Sequence, residues 1–125
     1  MAEKYAGNLA FTIQSDGDGV TGVMKIVPGM LNPFGTVHAG ALIWFADVAA
    51  TRLVFGERDV KQGAAGFPLA INLNAQLMGN RTEGTLTARA RFVKRGRTVS
   101  TVRTRIAGDD GKVLVELTST HVAAR

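Results

Sequence analysis

Residues 38–55 read HAGALIWFADVAATRLVF. After Gly40 the run holds neither Gly nor Pro, it is rich in Ala and Leu, and it halts at Gly56, a residue suited to a left-handed C-terminal cap. The pattern predicts a helix, the only long one in the chain. From Ala39 to Phe55 only Asp47, Thr51 and Arg52 are polar. A helix apolar nearly all round is surrounded by protein rather than laid on a surface, so this one is central.

What surrounds it is read from the flanks. Leu9, Phe11 and Ile13 alternate, Val20, Met24 and Ile26 share a face, and Asp16-Gly17-Asp18-Gly19 lies between, which predicts a hairpin. On the other side the polar, Gly-rich stretch 56–66 reads as a loop. Leu69, Ile71, Leu73, Ala75 and Leu77 then alternate with Ala70, Asn72, Asn74, Gln76 and Met78, the period of a strand with one dry face. Three more strands are expected over 85–93, 98–106 and 112–122, separated by turns at Arg95-Gly96 and Asp109-Asp110-Gly111. The fold class is α+β: an antiparallel sheet curled around one long central helix. A sheet of this length covers only part of the helix circumference, so an apolar stripe including some of Leu42, Phe45, Ala49 and Leu53 is expected to meet a second chain. A homodimer follows, able to pair into a dimer of dimers (homotetramer).

With 125 residues, 46% of them hydrophobic, residues 1–125 make a single domain. Fifteen Lys and Arg against ten Asp and Glu leave +5, which suits an anionic small molecule and falls short of the basic tracts of a nucleic-acid binder. The absence of Cys excludes disulfides, thiolate metal sites and cysteine nucleophiles, and two His leave little for metal binding. No signal peptide is evident in MAEKYAGNLAF, and Asp47 interrupts the longest apolar run before it reaches membrane-spanning length. The expectation is a cytoplasmic protein with no membrane or nucleic-acid partner.

Two motifs are set aside. Gly17 to Gly22 matches GxGxxG, but it precedes a strand instead of opening a helix, so no helix N-terminus is offered to a pyrophosphate. Asn80-Arg81-Thr82 is a glycosylation sequon by letter alone.

The informative stretch is Asn32-Pro33-Phe34-Gly35-Thr36-Val37-His38-Ala39-Gly40, which runs straight into the helix. Small residues Ala39, Gly40 and Ala41 leave first-turn N–H groups uncovered, able to hold an oxygen that gains negative charge. Small residues at a helix start also serve close packing. Asp47 sits mid-helix among apolar residues, where a carboxylate needs a partner or a pocket and where poor solvation sharpens it as a base or nucleophile. A structural pairing, with Arg52 for instance, is the plainer account. Eight residues separate Ala39 from Asp47, about 12 Å along one helix, so the two cannot act together within one chain. Two helices packed antiparallel about a two-fold axis bring the start of one beside the middle of the other, and the carboxylate then comes from the partner.

Asn32, Gly35, His38, Gly40 and Asp47, in the spacing N-x5-H-x8-D, followed by antiparallel strands with Arg95-Gly96-Arg97 at a turn, resemble the hotdog-fold acyl-CoA thioesterases of the phenylacetate-degradation (PaaI-like) type. The resemblance runs from about Val20 to Val122. It implies Asp47 as general base or nucleophile, the Ala39 N–H, with Gly40 as second candidate, as donor to the thioester carbonyl, and Asn32 and His38 as positioning groups. Two departures stand out. The family usually has Gly where Ala39 stands, and the Ser or Thr that orients water on the strand after the helix is replaced by Ala70, with Asn72 and Asn74 as candidate substitutes.

Between Arg81 and Arg105 eight Lys and Arg face one acid, Glu83. Arg89, Arg91, Arg103 and Arg105 are expected on outward strand faces, while Lys94, Arg95, Gly96 and Arg97 at the turn, with Arg81, are candidates for the phosphates of coenzyme A. The expected activity is hydrolysis of an aromatic or medium-chain acyl-CoA to free acid and CoA, with no metal and no cofactor beyond the CoA carried by the substrate. Phe34, Trp44, Phe45 and the 56–66 loop are candidates for shaping the acyl pocket. Two other readings fit the same residues: a hotdog hydratase or dehydratase using His, and a non-catalytic acyl-CoA sensor.

Overall fold

The computed structural model describes residues 2–56 and 66–123. The strands are β1 (Thr12–Asp16), β2 (Gly19–Lys25), β3 (Pro68–Leu77), β4 (Thr85–Lys94), β5 (Val99–Ala107) and β6 (Val113–Ala123). The helix α1 spans Ala39–Phe55, after a short 3-10 turn at Pro28–Met30. All six strands form one antiparallel sheet in the order β1-β2-β4-β5-β6-β3, with α1 packed against its concave face. This is the hotdog architecture. The first strand begins at Thr12, three residues later than the alternation from Leu9 suggested, and Leu9 is exposed. Most of the expected 56–66 loop, residues 57–65, lies outside the described residues.

The helix stops where the sequence said it would, because Gly56 adopts φ 79° and donates its N–H to the Arg52 carbonyl. Its inner face, Leu42, Phe45, Ala46, Ala49, Ala50 and Leu53, is buried against Met24, Leu86, Ala88, Val102, Ile106 and Leu117 of the sheet. That corrects the expectation about the stripe. Leu42, Phe45, Ala49 and Leu53 are covered by their own sheet, since it curls far enough for all six strands to reach the helix. The apolar surface left open is elsewhere: Trp44 on α1, and Leu69, Ile71, Leu73 and Leu77 on the edge strand β3.

β3 departs from simple alternation. A bulge between Ala70 and Asn72 inserts Ile71 as an extra residue, so Ala70 pairs with His121 while Leu73, Ala75 and Leu77 pair with Ser119, Leu117 and Val115. Cross-strand partners share a face. Ala70, Leu73, Ala75 and Leu77 therefore sit on the helix side, and Asn72, Asn74 and Gln76 on the outer side. The expected dry face is half open because β3 has a neighbour on one side only. GxGxxG is structural, as a Cβ at Gly22 would meet the Phe45 ring at 2.8 Å.

Candidate active site

The approach to α1 is built by two small devices. Asn32 closes the 32–36 turn: its Oδ1 accepts from the Thr36 N–H at 3.1 Å, its Nδ2 donates to Thr36 Oγ1 at 3.0 Å, and Gly35 adopts φ 93° at the tip. Its amide is thus engaged in the loop that delivers His38. The second device is Asn80, which accepts from the Val37 N–H at 3.2 Å and donates to the Val37 carbonyl at 2.8 Å, fixing the residue just before His38. Nothing in the local sequence flags this role, because its partner is 43 positions away. Replacing Asn80 by Ala is expected to cost about 1–3 kcal/mol by stranding both Val37 groups, read as a lower midpoint in urea unfolding.

His38 is the N-cap, with φ −55° and ψ 137°, and its side chain makes no capping hydrogen bond. The first intrahelical bonds run from Ala41 and Leu42 N–H to the His38 carbonyl, leaving the Ala39 and Gly40 N–H groups ahead of the ladder. His38, Ala39 and Gly40 are all exposed. A Cβ at Gly40 would meet nothing within 4 Å, so tight packing within this chain does not explain the small residue. The helix start is an open, uncapped donor pair at the positive end of the dipole.

Asp47 lies two turns further along the same helix. It lines a cavity of about 250 Å³ with Val48, Thr51, Arg52, Phe55 and Phe67, where Phe55 and Phe67 pack ring to ring at 5.4 Å. The plainer account, pairing with Arg52, does not hold: Arg52 Nη1 donates to the Gly56 carbonyl, and Asp47 Oδ1 is buried with no hydrogen-bond partner. Helix geometry keeps it about 12 Å from the Ala39 N–H. One chain thus carries the open donor pair and the carboxylate well apart on a single helix.

The basic residues separate into two groups. Arg89 pairs with Asp16, Arg91 with Asp18, and Arg103 and Arg105 share Glu116. They line an outer-face groove of about 620 Å³, remote from the helix. Hydrogen bonding by Thr21 and the nearby Arg89 charge hold Asp16 below the usual carboxylate range. Arg81 binds Asp110 at 3.0 Å and the Asn80 carbonyl, at the opposite end of β4 from the 94–97 turn, so the structure does not bring it to that turn. Lys94, Arg95 and Arg97 are exposed and, among the described residues, form no ion pair. Their turn needs Gly96, where a Cβ would stand 2.0 Å from the Val99 carbonyl oxygen. Gly96→Ala is expected to lower the thermal midpoint by several degrees, consistent with an overpacking cost of about 1–3 kcal/mol.

The aromatic expectations divide similarly. Phe45 is fully buried core and does not shape a pocket; Trp44 is 43% exposed and packs edge-on to Phe11 at 4.6 Å; Phe34 is 90% exposed beside the helix start. Asn72 and Asn74 face outward, away from Asp47, because the Ile71 bulge shifts their register. Ala70 is on the helix side, across from His121.

His121 is the group that sequence reading missed. It is 1% exposed, and its Nε2 lies 2.8 Å from Ser119 Oγ, next to it on the same face. A penultimate-strand His among Thr and Ser carries no motif; only the inward alternation of β6 could have signalled it. Burial holds its imidazole below the usual range, an effect the Asp47 charge partly offsets. The unfolded chain therefore takes up this proton at higher pH than the fold does. The stability tied to neutral His121 is complete above about pH 6.5 and drains away as pH falls from there toward the folded pKa. Thermal midpoints should drop on acidification from pH 7 to 5, and less steeply in His121→Gln; parallel slopes would assign the effect to another group.

A six-stranded antiparallel sheet curled around a single long helix defines the hotdog fold. Residues 27–122 match the family model of the acyl-CoA thioesterase N-terminal domain, and the chain belongs to that family. It is an enzyme of the acyl-CoA thioesterase class. Among solved structures it is similar to a phenylacetic acid degradation-related protein of Ralstonia eutropha (27% identity, 91% of this chain and 85% of that one, TM-score 0.78). It is also similar to a thioesterase of Pseudomonas aeruginosa (25% identity, 93% and 82%, TM-score 0.82). A Bacillus halodurans protein solved with CoA shares the fold (23% identity, 91% and 74%, TM-score 0.78). No curated protein matches the chain at a significant level. Among the described residues no helix is long and apolar enough to cross a membrane.

Proposed function

We propose that the protein is a homodimeric thioesterase of the phenylacetate-degradation (PaaI-like) type. It cleaves an aromatic or medium-chain acyl-CoA at two sites, each shared between subunits. The observation that carries the reading is the separation of an uncapped donor pair at Ala39 and Gly40 from an unpartnered carboxylate at Asp47 on one continuous helix. Antiparallel packing of two such helices brings donor and carboxylate together. The open apolar surface supports it, since Trp44, Leu73 and the unpaired edge of β3 lie where a second chain would be received.

In this reading the thioester carbonyl oxygen accepts from the Ala39 N–H, assisted by the Gly40 N–H, and negative charge developing on it is stabilised by the helix dipole. Asp47 of the other subunit takes the proton of an attacking water or attacks the carbonyl itself, and CoA thiolate departs. Single turnover in ¹⁸O-water separates the routes, because only an anhydride leaves label in Asp47. His38 lies beside the carbonyl, and Asn32 contributes by holding the loop. Lys94, Arg95 and Arg97, exposed and without an ion pair among the described residues, meet the CoA phosphates in this reading, which the CoA bound in the similar B. halodurans structure supports.

The test is a thiol-release assay over aromatic and aliphatic acyl-CoAs, with enoyl absorbance followed in parallel. Thiol release with no change at the enoyl band is expected; enoyl turnover would indicate a hydratase, and binding without turnover a sensor. Mixing inactive Asp47→Ala subunits with inactive Ala39→Pro subunits should restore activity, since one site of each heterodimer is intact. Verified heterodimers that stay inactive would refute the shared site.

A further inference from the structure

The outer face of the sheet carries a charge pattern that packing does not require. Arg89 lies directly opposite Arg105 and Arg91 opposite Arg103, so four guanidiniums form a two-by-two block on β4 and β5. Like charges facing each other across strands are destabilising. The block is on the far side of the sheet from α1, because the alternating residues Ala88, Ala90, Val102 and Ile106 are the ones buried beneath the helix. Three carboxylates answer the four cations. Asp16 meets Arg89 at 3.2 Å, Asp18 reaches Arg91 only at 3.8 Å from a side chain that is 95% exposed, and Glu116 is divided between Arg103 and Arg105.

Glu116 also sets geometry. One of its oxygens lies 3.2 Å from Arg103 Nε and the other 3.2 Å from Arg105 Nε, so a single carboxylate grips both guanidiniums by the inner nitrogen. A guanidinium has five N–H donors, and the Nη groups of these two make no hydrogen bond among the described residues. Both side chains line the groove of about 620 Å³, together with Arg89, Arg91, Val93 and Val113. Two planar forks held side by side with uncommitted donors match phosphate oxygens. The volume falls in the range of small-molecule sites, roughly 300–1,000 Å³, and is far more than one phosphate fills. The valines add apolar surface beside the charge. A long polyanion laid across the strands fits poorly, since it would meet Asp16 and Asp18 at the β1–β2 end and Glu116 on β6.

We propose that this groove is a second ligand site, on the opposite face of the sheet from the helix and its Asp47, that takes a multiply phosphorylated nucleotide: Glu116 orients Arg103 and Arg105 as the phosphate cradle, Arg89 and Arg91 complete it, and Val93 and Val113 receive the base. The nucleotide is a free one or the nucleotide end of free CoA, which share this chemistry.

The experiment titrates ATP at low ionic strength and reads binding by calorimetry and by amide NMR. In the unmutated protein the NMR shifts should centre on residues 89–91 and 103–105; a centre on 94–97, or no saturable binding, overturns the site whether or not any variant folds. Arg103→Gln with Arg105→Gln should weaken ATP binding at least about tenfold, as expected for losing charge-assisted hydrogen bonds, and leave thiol release from acyl-CoA unchanged. Unchanged ATP affinity in that variant overturns the cradle. Glu116→Gln separates orientation from mere charge: it makes the face more positive yet should weaken ATP binding, and tighter binding would overturn the positioning role. A single-stranded oligonucleotide that binds more tightly than ATP would overturn the choice of ligand. Free CoA distinguishes the sources: competition with ATP at these residues supports the shared nucleotide end, and ATP binding without competition supports a free nucleotide. Thiol release is measured independently, so a protein that lacks it can still bind ATP here, and failure of the thioesterase reading stays distinct from failure of this one.

Discussion

Ala39→Pro should cut thiol release by about 10² to 10³-fold, the usual loss on removing one oxyanion donor, while leaving helix content unchanged. Proline at this position is a clean deletion of a single N–H. Ala39 is the first helical residue, where φ already suits the pyrrolidine ring and where no intrahelical bond is forfeited. The preceding residue tolerates it too, because His38 has ψ 137°, the extended conformation that a following proline demands. KM should change little, since the donor contributes most when charge builds on the carbonyl oxygen. Near-normal kcat with proline confirmed at 39 would remove the helix start from the mechanism.

Asp47→Asn is the second large effect, an expected loss of at least about a hundredfold in kcat, because the amide can neither accept a proton nor attack a carbonyl. The substitution is nearly isosteric and leaves a polar group in the 250 Å³ cavity, so the fold should survive. Stability serves as a control: Oδ1 has no hydrogen-bond partner to lose among the described residues, and the urea midpoint should match or exceed that of the unmutated protein. A variant that releases thiol at the normal rate would leave Asp47 a structural carboxylate.

The two predictions depend on features of very different visibility. The helix could be read directly, because composition alone makes a seventeen-residue run rich in Ala, Leu and aromatics, between a small-residue start and Gly56, a buried rod. The outward arginines were legible by alternation, and their ion pairs with Asp16, Asp18 and Glu116 followed only from strand register. The Ile71 bulge was invisible, since one extra residue in a strand leaves local composition unchanged while exchanging the faces of everything beyond it. That single insertion put Asn72 and Asn74 on the opposite face from Ala70.

The sequence by itself determined one central helix, an antiparallel sheet, and the presence of a donor-rich helix start and an isolated Asp47. These are local facts, carried by periodicity, capping and spacing. Tertiary structure alone decided which helix face the sheet covers, that Asn80 clamps Val37, that Lys94, Arg95 and Arg97 form no ion pair among the described residues while Arg81 is spent on Asp110, and that His121 is buried against Ser119. Each of those depends on residues far apart in the chain brought together by strand order and register, and no window along the sequence contains both members of the contact.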